Sequence, residues 1–439
     1  MLHSIRNQIL SVVSAILIFN PVISAQESPL IHMCGHEIHM SQMETRYPGY
    51  KDQCDKVFGL AKQLGLKSRN NDIYRIPVVV HIVWNNEEEN LHDSLIINQI
   101  EVLNQDFRLN NPDKNNIREI FKQRQSDAGI EFELIEIKRV QTAATFTPFL
   151  ITLPDEVKQS AAGGSDASNT AFALNIWVCK IQEVPFLGAQ ILGYAYPPAD
   201  LPHWPAGVSA SSPELDGVVI DFRCFGRNNP LGSLLPAGLS ISPQGRTTTH
   251  EVGHYLGLRH IWGDGSIFGG SSCSADDGVE DTPNQGRQSN NDCVTDQNTC
   301  DEEVNDELDM IENYMDYSDQ ACQNAFTKGQ IEIMRGVLEG PRNGLLELNT
   351  STSSLNNEFT INIYPNPVRN FLQIHYQGDF EITELKVYNQ LGKEMLTLKS
   401  ASFEQENITL ALADWNPGLY ILKATNKLNM QLSVKFIKI

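Results

Sequence analysis

The stretch His250-Glu251-Val252-Gly253-His254-Tyr255-Leu256-Gly257-Leu258-Arg259-His260 constrains this chain more than any other. Its pattern is H-E-x-x-H-x-x-G-x-x-H, three histidines and a glutamate at spacings that build a catalytic zinc site. On a helix, His250 and His254 stand four residues apart on one face, so both imidazoles can reach one ion. Glu251 falls beside them, within reach of a water at the metal but turned away from the ligands. Gly257 can take positive φ without a Cβ clash, which stops the helix and turns the chain. That turn returns His260 as third ligand and leaves a fourth position open for water, the mark of a catalytic rather than a structural site.

Two histidines on a helix are also common as surface or core residues, so the downstream context matters. Asn313-Tyr314-Met315-Asp316-Tyr317 lies roughly fifty residues past His260, where a metzincin-type peptidase places its methionine turn. HEVGHYLGLRHIWGDG followed by NYMDYSDQAC resembles the pappalysin family of metzincin zinc peptidases, in its ulilysin-like bacterial branch. The resemblance covers about Ile73 to Arg342. It implies an α/β (α+β) metzincin, zincin-like catalytic domain with His250, His254 and His260 as zinc ligands and Glu251 as general base. It places Met315 beneath the metal and Tyr317 near it. In that chemistry Glu251 takes a proton from the attacking water and returns it to the leaving amine. The implied function is a secreted, zinc-dependent endopeptidase that hydrolyses extended protein or peptide substrates and is made as a latent zymogen.

Composition bounds the partners. Lys+Arg of 33 against Asp+Glu of 54 gives a net charge of −21, which argues against nucleic acid and anionic membrane surfaces. Residues 1–25 read as a signal peptide: Arg6 is the positive region, Ile9 to Phe19 the apolar one, and Ser24-Ala25 the small residues for cleavage. No later segment is apolar for long enough to span a bilayer. Export permits disulfides, and eight cysteines are present. Cys273, Cys293, Cys300 and Cys322 cluster near the motifs, and sequence alone allows three pairings of four cysteines. The family resemblance favours Cys273–Cys300 and Cys293–Cys322. It also carries calcium to the loop Asp276-Asp277-Gly278-Val279-Glu280-Asp281-Thr282-Pro283, through Asp277 and Thr282. That loop can equally be an acidic surface segment.

Residues 26–70 read as a polar, helix-prone propeptide. A thiolate is a strong zinc ligand, so Cys34 in His32-Met33-Cys34-Gly35-His36 is the candidate cysteine switch; a Cys34–Cys54 disulfide is the alternative. Cleavage around Lys67-Ser68-Arg69-Asn70 would release the enzyme, whose catalytic domain spans 71–345. Ile73 to Val83, Ile130 to Ile137, Leu174 to Ile181 and Val218 to Phe222 are expected strands, and Ser94 to Phe107 a core-facing helix. Gly193 to Pro198 reads as an edge strand able to pair an extended peptide. Thr327-Lys328-Gly329-Gln330 is a capping box opening a helix that ends near Gly340. Specificity for basic residues is not implied, because Gln320 stands where basic-preferring relatives resemble each other in a second acid. Two rival readings are a gluzincin-like site with Glu280 as third ligand and a non-catalytic secreted binding protein that keeps the fold.

Residues 346–358 are a Ser/Thr/Asn-rich linker. From 359 to 439 the pattern changes to short alternating strands, expected to form a small all-β sandwich. Its IYPNP, PGLYILK and VKFIKI resemble the C-terminal sorting domain of the type IX secretion system. That resemblance implies the secretion machinery as a partner and delivery to the outside or to the outer-membrane surface. Deleting residues 359–439 is expected to strand the protein in the periplasm, as read by cell fractionation. Normal export with weaker substrate binding would instead mark a retained binding module.

Overall fold

The computed structural model describes residues 31–67, 72–149, 152–185, 189–198, 212–236, 239, 241–263, 273–302, 306–347, 360–377, 382–389, 393–399, 407–426 and 431–439. The expected signal peptide, residues 68–70 of the expected cleavage stretch and residues 348–358 of the expected linker lie outside them. The run YRIPVVVHIVW forms β2 (Tyr74–Trp84), and its β-branched residues are buried on both faces, as a central strand requires. Pro77 is tolerated because only β3 (Ile130–Gln141) flanks it; pairing with β4 (Leu174–Cys179) starts at Val78. The outer strand β3 continues four residues past the expected Ile137, since its parallel partner β2 runs to Trp84.

The remaining strands are β5 (Ala189–Ala195) and β6 (Val218–Asp221), giving the sheet order β1-β5-β6-β4-β2-β3, with β1 at Ile31–Cys34. Strands β2, β3, β4 and β6 are mutually parallel, and β5 runs antiparallel to β6. Two expectations are corrected here. The edge strand begins at Ala189 rather than Gly193 and ends before Pro197-Pro198. Its outer edge is also covered, by β1 in parallel register from Ile31↔Ala189. No strand was expected in residues 26–70; β1 forms because the open edge of β5 supplies its hydrogen-bond partners.

After β1 come α1 (His36–Arg46) and α2 (Tyr50–Lys67). On the catalytic side, α3 (Asp93–Phe107) lays Ile96, Ile100, Leu103 and Phe107 against the sheet. The motif helix α4 (Arg246–Tyr255) packs beneath β5 and β6. Val252, Tyr255 and Leu256 join the same buried core as Val218 and Ile220, each such side chain contributing about 1.5–3 kcal/mol on burial. The expected capping box is present: Thr327 and Gln330 cap α5 (Lys328–Glu339), and a short α6 (Gly344–Glu347) follows.

Among the described residues of 360–439, the regular elements are all β. Seven strands, β7 (Thr360–Tyr364), β8 (Phe371–Gln377), β9 (Ile382–Asn389), β10 (Glu394–Lys399), β11 (Asn407–Ala411), β12 (Gly418–Asn426) and β13 (Gln431–Lys438), form sheets ordered β10-β9-β12-β13 and β11-β8-β7. Val368, Leu372, Ile374, Leu385, Val387, Leu422 and Phe436 fill the core of this unit.

Cys273 is bonded to Cys300 and Cys293 to Cys322. Loops of 27 and 29 residues restrict the unfolded chain by about 3 kcal/mol each on the entropy model. Replacing Cys293 and Cys322 together by serine should therefore lower the melting temperature by several degrees in calorimetry; an unchanged transition would rule out that contribution.

Candidate active site

The geometry of the motif is fixed from outside the helix. Arg246, buried at the first turn of α4, spans both ends of the site: its guanidinium donates to Asp113 at 2.6 Å and to the Gln320 carbonyl at 2.8 Å. One turn on, Thr249 donates to Asp106 of α3 at 2.8 Å. Gly253 faces Met315, and a Cβ there would lie 2.5 Å from the Met315 Sδ. The glycine lets the methionine sulfur approach the helix backbone directly, and a side chain there would displace it. Past α4, Gly257 has φ of 91° and turns the chain back.

That framework brings His250, His254 and His260 together. The His250 Nδ1–H donates to the Tyr314 carbonyl at 2.7 Å and the His254 Nδ1–H to the Leu258 carbonyl at 2.9 Å. Fixing the proton on Nδ1 leaves Nε2 with its lone pair, and the three Nε2 atoms lie 3.1, 3.1 and 3.3 Å apart. His260 is held by Trp262, stacked 4.3 Å away, and by Glu37, 3.4 Å from its Nδ1. Cys34 joins the group: one ligand atom from each of these four buried residues lies within 4.8 Å of the others. Convergent imidazole acceptors with a sulfur opposite form the donor set that a zinc ion takes tetrahedrally.

Glu251 is beside this cluster, 1% exposed, and Cys34 Sγ donates to its Oε2 at 3.3 Å. Burial pushes the Glu251 carboxyl up to about 8. Burial and the adjacent Glu251 raise the Cys34 thiol as well. The Tyr317 hydroxyl accepts the Cys34 backbone N–H at 2.8 Å. Gly35 is demanded by close approach, because a Cβ would lie 2.5 Å from Tyr194 Cβ. Cys34 and Cys54 are not disulfide-bonded. Glu280, the alternative third ligand, is exposed and pairs with Lys62 at 3.4 Å. Asp277 is buried and accepts from Thr282 Oγ1 at 2.9 Å, so these two residues do meet.

Sequence reasoning missed His36, stacked 4.1 Å from His254, along with Glu37 and Arg246. The first two follow directly on Cys34-Gly35, and that adjacency was the available signal. It also missed Gly193: a Cβ there would lie 2.8 Å from Glu251 Cγ.

The mixed sheet over an H-E-x-x-H helix, the returning third histidine and the methionine below define a zinc metalloprotease of the metzincin class. Residues 232–339 match the family model described as pregnancy-associated plasma protein-A, and residues 362–439 match a secretion system C-terminal sorting domain. A promirolysin mutant from Tannerella forsythia is 37% identical, with 74% of this chain and all of that chain covered and a TM-score of 0.58. Mature mirolysin of the same organism, in complex with a cleaved peptide, is 38% identical over 65% of this chain and 99% of that one, with a TM-score of 0.53. An extracellular metalloprotease of Arthroderma benhamiae is 28% identical across 58% of this chain and 69% of its own. The chain belongs to the pappalysin family, and its C-terminal unit marks it for secretion. No helix among the described residues is long and apolar enough to cross a membrane.

The geometry around α1 carries a pH dependence. His39 is buried, stacked 4.1 Å from Tyr196, with Nε2 3.3 Å from the Tyr50 hydroxyl. Burial, then the nearby His36 and Lys158, holds its pKa well below the ordinary 6.5. A base that is depressed when docked favours docking above its free pKa, and that contribution is lost as pH falls below about 6.5. The protection factors of amides across residues 36–50, which remove the intrinsic pH dependence of exchange, should therefore fall between about pH 7.5 and about pH 5.5, and His39→Phe should flatten the response. An identical profile in that variant would eliminate His39 as the cause.

Proposed function

We propose that this protein is a secreted zinc endopeptidase held latent by residues 31–67. The observation that carries the reading is the convergence of three histidine Nε2 atoms and the Cys34 sulfur on one point. His250, His254 and His260 would hold the metal in both forms, with Cys34 taking the fourth position in the latent one. Zinc bound there supplies a Lewis acid that acidifies a water and polarises the scissile carbonyl.

The remaining chemistry belongs to the chain. Glu251, whose buried carboxyl has a raised proton affinity, accepts the proton of the attacking water and delivers it to the leaving amine. The same carboxylate is 3.3 Å from Cys34, placed to take the thiol proton when the sulfur becomes a ligand. The Tyr317 hydroxyl accepts the Cys34 N–H in the latent form; once β1 leaves, substrate can take that place and receive a hydrogen bond from the hydroxyl at the developing oxyanion. Departure of β1 also opens the edge of β5, which can pair with an extended peptide. Mature mirolysin in complex with a cleaved peptide is similar to this chain and supports that substrate class.

Calcium is proposed for the loop Asp276–Thr282. Burial raises the Asp277 carboxyl to about 8, a cost that a divalent cation at its oxygens would offset. Export is assigned to a type IX system through residues 359–439, with release or attachment at the outer-membrane surface.

Glu251→Ala tests the mechanism. Peptide turnover should fall by about 10³-fold or more, while metal analysis of the purified variant still finds zinc. Proteolysis at the level of the unaltered protein would refute the assigned base.

A further inference from the structure

Residues 31–67 hold the enzyme at two separate places. One is the cleft, through β1, Cys34 and α1. The other is α2, which meets α5 backbone to backbone. A Cβ on Gly65 would lie 1.9 Å from the Glu332 carbonyl oxygen, and one on Gly336 would lie 1.8 Å from the Ala61 carbonyl oxygen. Each helix thus offers a glycine where the other comes closest, and neither position tolerates a side chain. Along the same face Phe58 covers Gly278, where a Cβ would be 2.8 Å from the ring. The Arg259 guanidinium lies 4.7 Å from the centre of that ring and pairs with Asp55. Lys62 donates to the Gly278 carbonyl at 3.3 Å and to Glu280 at 3.4 Å.

These contacts involve neither Cys34 nor Glu251 nor Tyr317. Cutting the chain between Lys67, where α2 ends, and Tyr74, where β2 begins, breaks none of them. The cut removes only the covalent tether, and with it the high effective concentration of the segment. Its surfaces stay complementary, including the ladder in which Gly35 N–H donates to Gly193 O at 2.8 Å.

We propose that α5 and the loop Gly278–Glu280 form a docking surface for α2 that retains the excised segment 31–67 after cleavage, independently of the Cys34 contact. The partner of this surface is the chain's own released segment, which acts as a reversible inhibitor and must dissociate or be degraded before activity is complete. The proposal rests on residues 31–67 being the latency segment.

The test uses the full chain carrying Glu251→Ala, to prevent self-digestion, with a specific protease recognition sequence replacing residues 68–71. After the cut, size exclusion with mass spectrometry reads whether the segment co-elutes, and dilution series give its affinity. The segment should remain bound, and should remain bound with Cys34→Ala. Gly65→Leu, which alters only the segment, should weaken retention by about tenfold or more. Should that variant fail to fold, Phe58→Ala with Lys62→Ala probes the same surface and is expected to shift in the same direction. Release with Cys34→Ala as complete as with the α2 variants, or full retention of the α2 variants, would overturn the proposal. Because the readout is binding, absence of peptidase activity in the unaltered chain would sink the proposed function and leave this result standing.

Discussion

Three imidazole lone pairs aimed at one point within about the contact distance of nitrogen atoms form an arrangement that a folded chain must be forced into. Each ring is turned by a hydrogen bond or stack that comes from elsewhere: His250 by the Tyr314 carbonyl, His254 by the Leu258 carbonyl, His260 by Trp262 and Glu37. Each of those groups then needs its own support. The turn at Asn313–Met315 is tied to α5 through Asn313 Nδ2, which donates to Gln330 at 3.0 Å. Arg246 fastens the start of α4 to the loop that follows the turn. The sheet, the capping box of α5 and the methionine are therefore parts of one device for orienting three rings.

The segment proposed to confer latency matches features that the device already has. β1 uses the edge of β5, Cys34 sits at the focus of the imidazoles, and its N–H meets the tyrosine hydroxyl. The backbone positions that permit this are glycines. Gly35 lets the segment approach Tyr194, and Gly193 leaves room for the Glu251 side chain directly above the helix. One strand position thus adjoins both the Glu251 side chain and the backbone of the segment that covers it.

The metal-binding motif, the methionine turn, the capping box and the two β regimes were readable in the sequence, because each has its own spacing. His250, His254, His260, Glu251, Met315 and Cys34 were all named from such local signals, and the structure gathers them at one place. What could not be read depends on contacts between distant residues. The strand at Ile31–Cys34 has no strong local pattern and exists because β5 offers an edge. Gly193 resembles any glycine in a strand until Glu251 is found against it, and Arg246 is one unremarkable cation until Asp106 and Asp113 surround it. The limits of β5 shifted for the same reason, since pairing rather than the prolines decides where the strand begins.

The two disulfides overlap in order along the chain, with Cys293 lying inside the loop closed by Cys273 and Cys300, and Cys300 inside the loop closed by Cys293 and Cys322. A single backbone cut anywhere between Cys273 and Cys322 is consequently always bridged by at least one sulfur bond. The two pieces stay joined, and the methionine turn at residue 315 remains tethered to the rest of the enzyme. For a protease working outside the cell among other proteases and copies of itself, that topology makes one nick survivable where an open loop would lose its fragment.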